Sequence, residues 1–215
     1  MQPDPLIHSY SPAEEAANTL THGLGLILSL IGLAVLVTFA GLRGDVWHVV
    51  SFAVFGASLV LLYLSSTLYH AFRRPRIKRF FKKMDHSAIF LLIAGTYTPF
   101  MLVSLRGPWG WSIFGAIWGM ALLGIILKWL RIYHFRRLSL VLYLGMGWLC
   151  VVALKEMLIH VPPAGLYLLL AGGLCYTGGV VFYVLKSLRF GHAVWHVFVL
   201  AGSVFHYFSV FTCLE

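Results

Sequence analysis

The stretch "TLTHGLGLILSLIGLAVLVTFAG", residues 19–41, runs through 23 positions without one Asp, Glu, Lys or Arg. As a helix rising 1.5 Å per residue it reaches about 35 Å, enough to cross a hydrocarbon core of roughly 30 Å. Six further apolar runs follow, and the expected spans are 19–41, 46–70, 86–105, 109–130, 137–157, 163–186 and 192–213. Turn signals fall between them at Gly44-Asp45, around Pro75, at Gly107-Pro108 and at Pro162-Pro163. With 60% hydrophobic and 11% charged residues, the composition lies outside the soluble globular range. The expected fold is therefore all-α, a seven-transmembrane helix bundle forming a single integral membrane domain over 1–215.

The polar tail Met1 to Tyr10 holds no Lys or Arg and no short apolar core, so the first run is expected to be a retained helix rather than a cleaved signal. "SPAE", Ser11 to Glu14, reads as its start. Ser11 suits the cap, Pro12 the first helical position and Glu14 the capping-box carboxylate. Cys150, Cys175 and Cys213 share no paired spacing and are read as small packing residues. Gly115 and Gly119 are read as a small-residue pair for close helix approach.

Charge sets the expected orientation. The net charge is +9, but the cations lie between apolar runs, which points to lipid headgroups and away from nucleic acid. Loops after the second, fourth and sixth spans hold thirteen Lys and Arg, seven of them between Arg73 and Lys83; the opposite side has only Arg43, Arg106 and Lys155. Cytoplasmic loops carry the excess, so the N-terminus is expected to be cytoplasmic and the C-terminus outside. In "AFRRPRIKRFFKKM" aromatic and aliphatic residues alternate with the cations, a pattern suited to anionic inner-leaflet headgroups at residues 73–83.

On this orientation, polar residues gather at one depth. "HAVWH" sets His192 and His196 four apart, on one helical face near the cytoplasmic end of the seventh span. Among ten histidines chance alone gives about half such a pair, so the spacing means little without the company it keeps. "LSSTLYH" places His70 at the cytoplasmic end of the second span with Ser66 one turn deeper, and "KKMDHSAIF" places Asp85 and His86 at the start of the third. Asn18 and His22 add another i, i+4 pair from the first span. Ionisable residues at membrane depth are costly, and such a gathering points to function. Three imidazoles and a water form an open zinc site; Asp85 is then placed to accept a proton, and Ser66 to orient water or donate to an oxyanion. Imidazoles also suit iron, copper and nickel. His22 and His86 are read as partners of the ligands, substrate contacts or structural groups, and Asn18 is grouped with them. His206, near mid-membrane, is assigned a hydrogen bond to a neighbouring helix. His8, His48, His134 and His160 fall in tails or near span ends, where solvated or interfacial roles suffice.

The segments "SPAEEAANTLTHGLG", "LYLSSTLYHA", "KKMDHSAIFLLIAGTYTPF", "LGMGW" and "HAVWHVFVLAGSVFH" resemble the bacterial hemolysin III branch of the progestin and adipoQ receptor family, over nearly the whole chain. The resemblance implies a seven-helix multi-pass protein of the bacterial cytoplasmic membrane with a cytoplasmic N-terminus. It also implies a zinc ion on three histidines matching His70, His192 and His196, with Asp85 and Ser66 matching the family's aspartate and serine. The wider group includes alkaline ceramidases and the adiponectin receptors, which implies hydrolysis of a lipid amide. Two other functions stand beside a zinc-dependent hydrolase: a membrane sensor or homeostasis regulator with structural zinc, and an ion or proton transporter or cytolytic pore.

Overall fold

The computed structural model describes residues 10–130, 136–185 and 187–214, without the side chains of Arg136 and Arg137. His8, Arg131, His134 and Lys186 lie outside the described residues. Eight α-helices follow in order: α1 Pro12–Arg43, α2 Val46–Ala71, α3 Pro75–Pro99, α4 Pro108–Trp129, α5 Arg136–Gly147, α6 Leu154–His160, α7 Pro163–Val184 and α8 Gly191–Phe211. Seven stretches are long and apolar enough to cross a membrane: Pro12–Arg43, Val46–Ala71, Pro75–Ser104, Pro108–Trp129, Leu138–His160, Pro163–Val184 and Gly191–Leu214. The protein is an all-α, seven-helix, multi-pass membrane protein, with no strand among the described residues.

Local chemistry sets the helix ends. Ser11 and Glu14 close a capping box around Pro12, with Ser11 N donating to Glu14 Oε2 at 2.9 Å and Glu14 N to Ser11 Oγ at 3.3 Å. Only Gly44 and Asp45 link α1 to α2, and Asp45 Oδ1 caps the new helix by accepting from Trp47 N at 2.9 Å and His48 N at 3.1 Å.

The third spanning helix starts earlier than the apolar pattern suggests, at Pro75 and not near residue 86. Pro75 occupies the first turn, where a missing N–H costs nothing. Two residues beyond it are anchored: Lys78 pairs with Glu15 at 2.7 Å, and Phe81 stacks on Phe72 with ring centroids 5.6 Å apart. Asp85 and His86 consequently lie about three turns inside α3 instead of at its start.

Two irregularities are repaired from within. Pro99 lacks an N–H, and the chain continues from it as a π-helical turn, Phe100–Ser104, closed by Leu105 N donating to Phe100 O at 2.8 Å. The stretch read as one span over 137–157 is divided: α5 stops at Gly147, a 3₁₀ turn covers Leu149–Ala153, and α6 follows. Tyr97 of α3 stitches the break, its hydroxyl donating to Met146 O at 2.8 Å and accepting from Cys150 N at 2.7 Å. Broken backbone at membrane depth is tolerable only with such a partner.

In the bundle α1 packs between α2 and α8, α2 packs on α3, α3 on α4, and α7 on α8. Of the apolar window of Pro75–Ser104, 72% is buried, against 17% for both Leu138–His160 and Pro163–Val184, so α3 is the central post. Leu24, Ile27, Ile31, Leu122, Leu123 and Val181 point outward, where lipid is their solvent. Because successive spans run antiparallel, the start of α1, the end of α2, the first turns of α3 and the start of α8 meet at one end.

Close approach is made by different glycines from those the spacing suggested. A Cβ at Gly25 would overlap the Tyr63 ring, and one at Gly110 would overlap the carbonyl oxygens of Met101 and Leu105. At Gly115 and Gly119 a Cβ would meet nothing within 4 Å; both face outward, so neither brings two helices of this chain together. Replacing Gly110 with Ala should therefore destabilise the bundle by about 1–3 kcal/mol, because backbone cannot move aside. Thermal unfolding in detergent checks this, with Gly115→Ala expected to leave the midpoint unchanged.

Candidate metal centre

His70 is the last residue but one of α2, while His192 and His196 occupy the first two turns of α8. Entry into α8 is fixed by Phe190, the one described non-glycine residue with positive φ (58°). Its N–H donates to Glu14 Oε1 at 3.2 Å, so the tip of α1 clamps a strained residue two positions before His192.

These three histidines converge. Each offers a ring nitrogen, and the three nitrogens lie within 4.8 Å of one another. Ring centroids stand 5.1 Å apart for His70–His192, 5.1 Å for His70–His196 and 4.5 Å for His192–His196. His70 and His196 are buried and His192 is half-buried. Ligand atoms around a tetrahedral zinc stand about 3.3 Å apart, so small side-chain rotations would gather this set on one ion.

Hydrogen bonds settle which nitrogen faces inward. His70 Nδ1 lies 2.7 Å from Glu15 Oε2, and a carboxylate only accepts, so Nδ1 carries the proton. The other nitrogen, Nε2, then presents a lone pair, and it is buried with no hydrogen-bond partner. An orphaned buried lone pair is costly in a protein and is what a metal ligand requires. His196 Nδ1 lies 3.2 Å from the Asn18 carbonyl oxygen and 3.1 Å from Thr21 Oγ1, which likewise leaves its Nε2 as the lone-pair nitrogen. Since His70 Nδ1–H is engaged by Glu15, the Asn18 amide nitrogen at 3.4 Å is a packing neighbour. These residues fit a divalent metal ion.

Glu15 is itself balanced. Its Oε1 accepts from Lys78 Nζ at 2.7 Å, and that ammonium also donates to Tyr69 O at 2.9 Å and lies 4.6 Å from the Tyr69 ring centroid. A chain Lys78–Glu15–His70 thus leads from the basic segment into the cluster. The sequence reading missed Glu15. A signal was present, since Glu15, Asn18 and His22 fall at i, i+3 and i+7 on one face of α1. Tyr10 was also missed: its ring stacks on His192 at 5.1 Å and tilts against His70 at 5.9 Å, covering the cluster from the N-terminal end. Nothing in its local sequence marks that contact.

The other candidate residues take distinct places. His22 lies flat on His196, centroids 3.5 Å apart, and meets the edge of Tyr63 at 5.0 Å; both its nitrogens are buried without hydrogen bonds. It backs the cluster and is not one of the converging three. Ser66 is fully buried one turn before His70. Asp85, also buried, lies in range of Ser66, Lys82 and Lys128, yet the Ser66 hydroxyl makes no hydrogen bond of good geometry to it. The Asp85 carboxylate is outside the group of mutually close ligand atoms. His86 is half-buried toward α5, where its carbonyl oxygen accepts from Tyr143 at 2.8 Å. His206, as expected, bonds a neighbouring helix, through Nε2 to Leu169 O at 3.1 Å.

If Glu15 sets the His70 tautomer, Glu15→Gln should weaken binding of a divalent metal about 10–100-fold in a folded protein. Competition with a chromogenic chelator measures this, and an unchanged affinity would remove Glu15 from the centre.

Comparison with known proteins gives a consistent result. Residues 10–207 match the family described as Haemolysin-III related. The chain is 47% identical to "Hemolysin-3" of Bacillus cereus, over 92% of this chain and 90% of that protein. It is 45% identical to "Hemolysin-3 homolog" of Bacillus subtilis (strain 168), over 94% of this chain and 95% of that protein. It is also 30% identical to "Monocyte to macrophage differentiation factor" of Homo sapiens, over 95% and 87%.

Proposed function

The chain belongs to the haemolysin-III related family, and from that premise and the three-histidine geometry we propose that it is a zinc-dependent hydrolase of a lipid or lipid-like amide. The observation that carries this reading is the buried, partnerless Nε2 of His70, its tautomer held by Glu15, converging with His192 and His196. Three protein ligands leave a fourth position open, as in catalytic rather than structural zinc sites.

A zinc ion held there supplies Lewis acidity and makes a water acidic enough to ionise near neutral pH. Glu15 and the Asn18 carbonyl keep His70 and His196 in the tautomers that ligation needs. Asp85 takes the proton of the attacking water and returns it to the leaving amine. The Ser66 hydroxyl, buried and without a hydrogen bond, orients the water or donates to the oxyanion that forms on the amide carbonyl oxygen. Tyr10 screens the N-terminal side of the cluster.

The single membrane domain spans 1–215 with its N-terminus in the cytoplasm, in the cytoplasmic membrane of a bacterium. The cluster then lies near the inner-leaflet headgroups, where a lipid reaches it sideways, and residues 73–83 lie against anionic headgroups. A sensor with structural zinc shares the ligands but has no use for Asp85.

His192→Ala should lose stoichiometric zinc and turnover together, read by elemental analysis and by release of labelled fatty acid from an amide lipid. Asp85→Asn should keep the zinc and lower kcat at least 100-fold. Full turnover in either variant would defeat the hydrolase reading.

A further inference from the structure

At the end of the bundle away from the three histidines, the corner between the third span and α4 meets the end of α6. Gly107 takes φ 155°, a backbone conformation that favours glycine, and turns the chain so that Arg106 stands at the corner. Arg106, Gly107 and Trp109 from this corner and Glu156 and His160 from α6 line a single cleft of about 180 Å³. One water needs only about 15 Å³, so a group of several heavy atoms fits. Trp109 is 51% exposed, and Leu158 and Ile159, beside His160 on a spanning stretch, are both 64% exposed. The cleft therefore opens where headgroups meet acyl chains.

The charged groups of the cleft are positioned but not joined to each other. Arg106 Nη1 lies 3.6 Å from Asp45 Oδ2, and the guanidinium carbon lies 5.6 Å from the Trp47 ring centroid, contacts that orient the group. At 3.6 Å the carboxylate is beyond hydrogen-bond range, and Asp45 Oδ1 already accepts from Trp47 N and His48 N. Of its five N–H donors, Arg106 thus keeps capacity for an acceptor that comes closer. On α6, His160 Nδ1 donates to Glu156 O at 2.9 Å and stands 3.8 Å from Glu156 Oε2. Its Nδ1–H is spent on the carbonyl; in the neutral ring Nε2 is an acceptor, next to a carboxylate that also only accepts. Among the described residues no ion pair joins Arg106 to Glu156, although both line the same small cleft. An anion alone would meet Glu156, and a cation alone would meet Arg106. Charged donors and charged acceptors held apart in one cleft are complementary to a zwitterion.

We propose that this cleft binds the headgroup of a membrane lipid in which a phosphate is joined to a primary ammonium, with the phosphate on Arg106 and the ammonium on Glu156 and His160. The headgroup bridges two side chains that do not touch, while the acyl chains run along Leu158 and Ile159. A primary ammonium is specified because both acceptors require an N–H, which a trimethylated ammonium lacks. The site lies in the leaflet opposite the histidine cluster and does not depend on the hydrolase reading.

Native mass spectrometry of the full-length protein, delipidated in dodecyl maltoside and titrated with dioleoyl phosphatidylethanolamine or dioleoyl phosphatidylcholine, tests this through the affinity of the first lipid bound. Phosphatidylethanolamine should bind about threefold or more tightly than phosphatidylcholine, and a smaller preference overturns the site. Glu156→Gln should abolish the preference, whereas Lys155→Gln, one position away and outside the cleft, should keep it. Arg106→Gln should weaken both lipids alike, about threefold or more, since both carry the phosphate. Persistence of the preference in Glu156→Gln, or unchanged affinities in Arg106→Gln, overturns the assignment. If Arg106→Gln fails to fold, as judged by thermal unfolding, the wild-type preference and Glu156→Gln decide the matter. Glycerophosphoethanolamine, the headgroup without chains, should not displace the lipid at equal concentration; displacement would make the cleft a site for a soluble solute and overturn the lipid.

Discussion

Within hydrocarbon no water is available to complete a hydrogen bond, and this constraint governs every polar choice the chain makes. Backbone groups are answered by helix, and where helix fails a side chain takes over. The hydroxyl of Tyr97, donating to Met146 O and accepting from Cys150 N, is the clearest case, since it allows a 3₁₀ break inside the fifth span. Side-chain polarity obeys the same rule. Tyr63 donates to Ser203 Oγ at 2.7 Å, Tyr176 shares that oxygen at 2.8 Å, and Ser209 donates to Gly165 O at 2.6 Å.

The same constraint explains the layout of the three-histidine cluster. A carboxylate against a neutral imidazole would be a costly buried charge, and Lys78 offsets it from the far side of Glu15. That arrangement couples two features otherwise far apart in the chain. The basic segment at the start of α3 is the source of the ammonium that lets Glu15 stay ionised beside His70. Glu14, one residue earlier, braces α8 through Phe190 N, so consecutive acids on α1 serve the helices bearing the three histidines. The first turn of α1 is therefore part of the centre as much as a helix cap.

Much of this was legible in the sequence because membrane burial writes in a coarse alphabet. Apolar runs of spanning length gave the seven helices, and the i, i+4 pair His192/His196 with His70 at a span end gave the converging three. What escaped was whatever depends on partners distant in sequence. α3 began at Pro75 because hydropathy cannot see that Lys78 has a half-buried acid waiting on α1. Gly115 and Gly119 have a helix-packing spacing but face open space, since spacing does not say which side of α4 meets α3. Glu15 looked like an ordinary first-turn acid, complementary to the helix dipole, until its partner 55 residues away was in place.

Where polar atoms are left unanswered is the strongest pointer to function. The described buried side chains without hydrogen bonds include His70 Nε2, both nitrogens of His22, Ser66 Oγ and Asn18 Oδ1, all at the end where α1, α2 and α8 meet. Ser51 Oγ and His206 Nδ1 are the described exceptions farther along the bundle, and His206 is anchored through its other nitrogen. A fold that answers its polar groups so fully elsewhere, even across a broken helix, does not leave a cluster of acceptors dry at one place without a physical reason. Ligation of an ion relieves the cost at His70 directly. It leaves Ser66 Oγ and Asn18 Oδ1 unanswered, and the water and substrate of the proposed reaction are what would complete them.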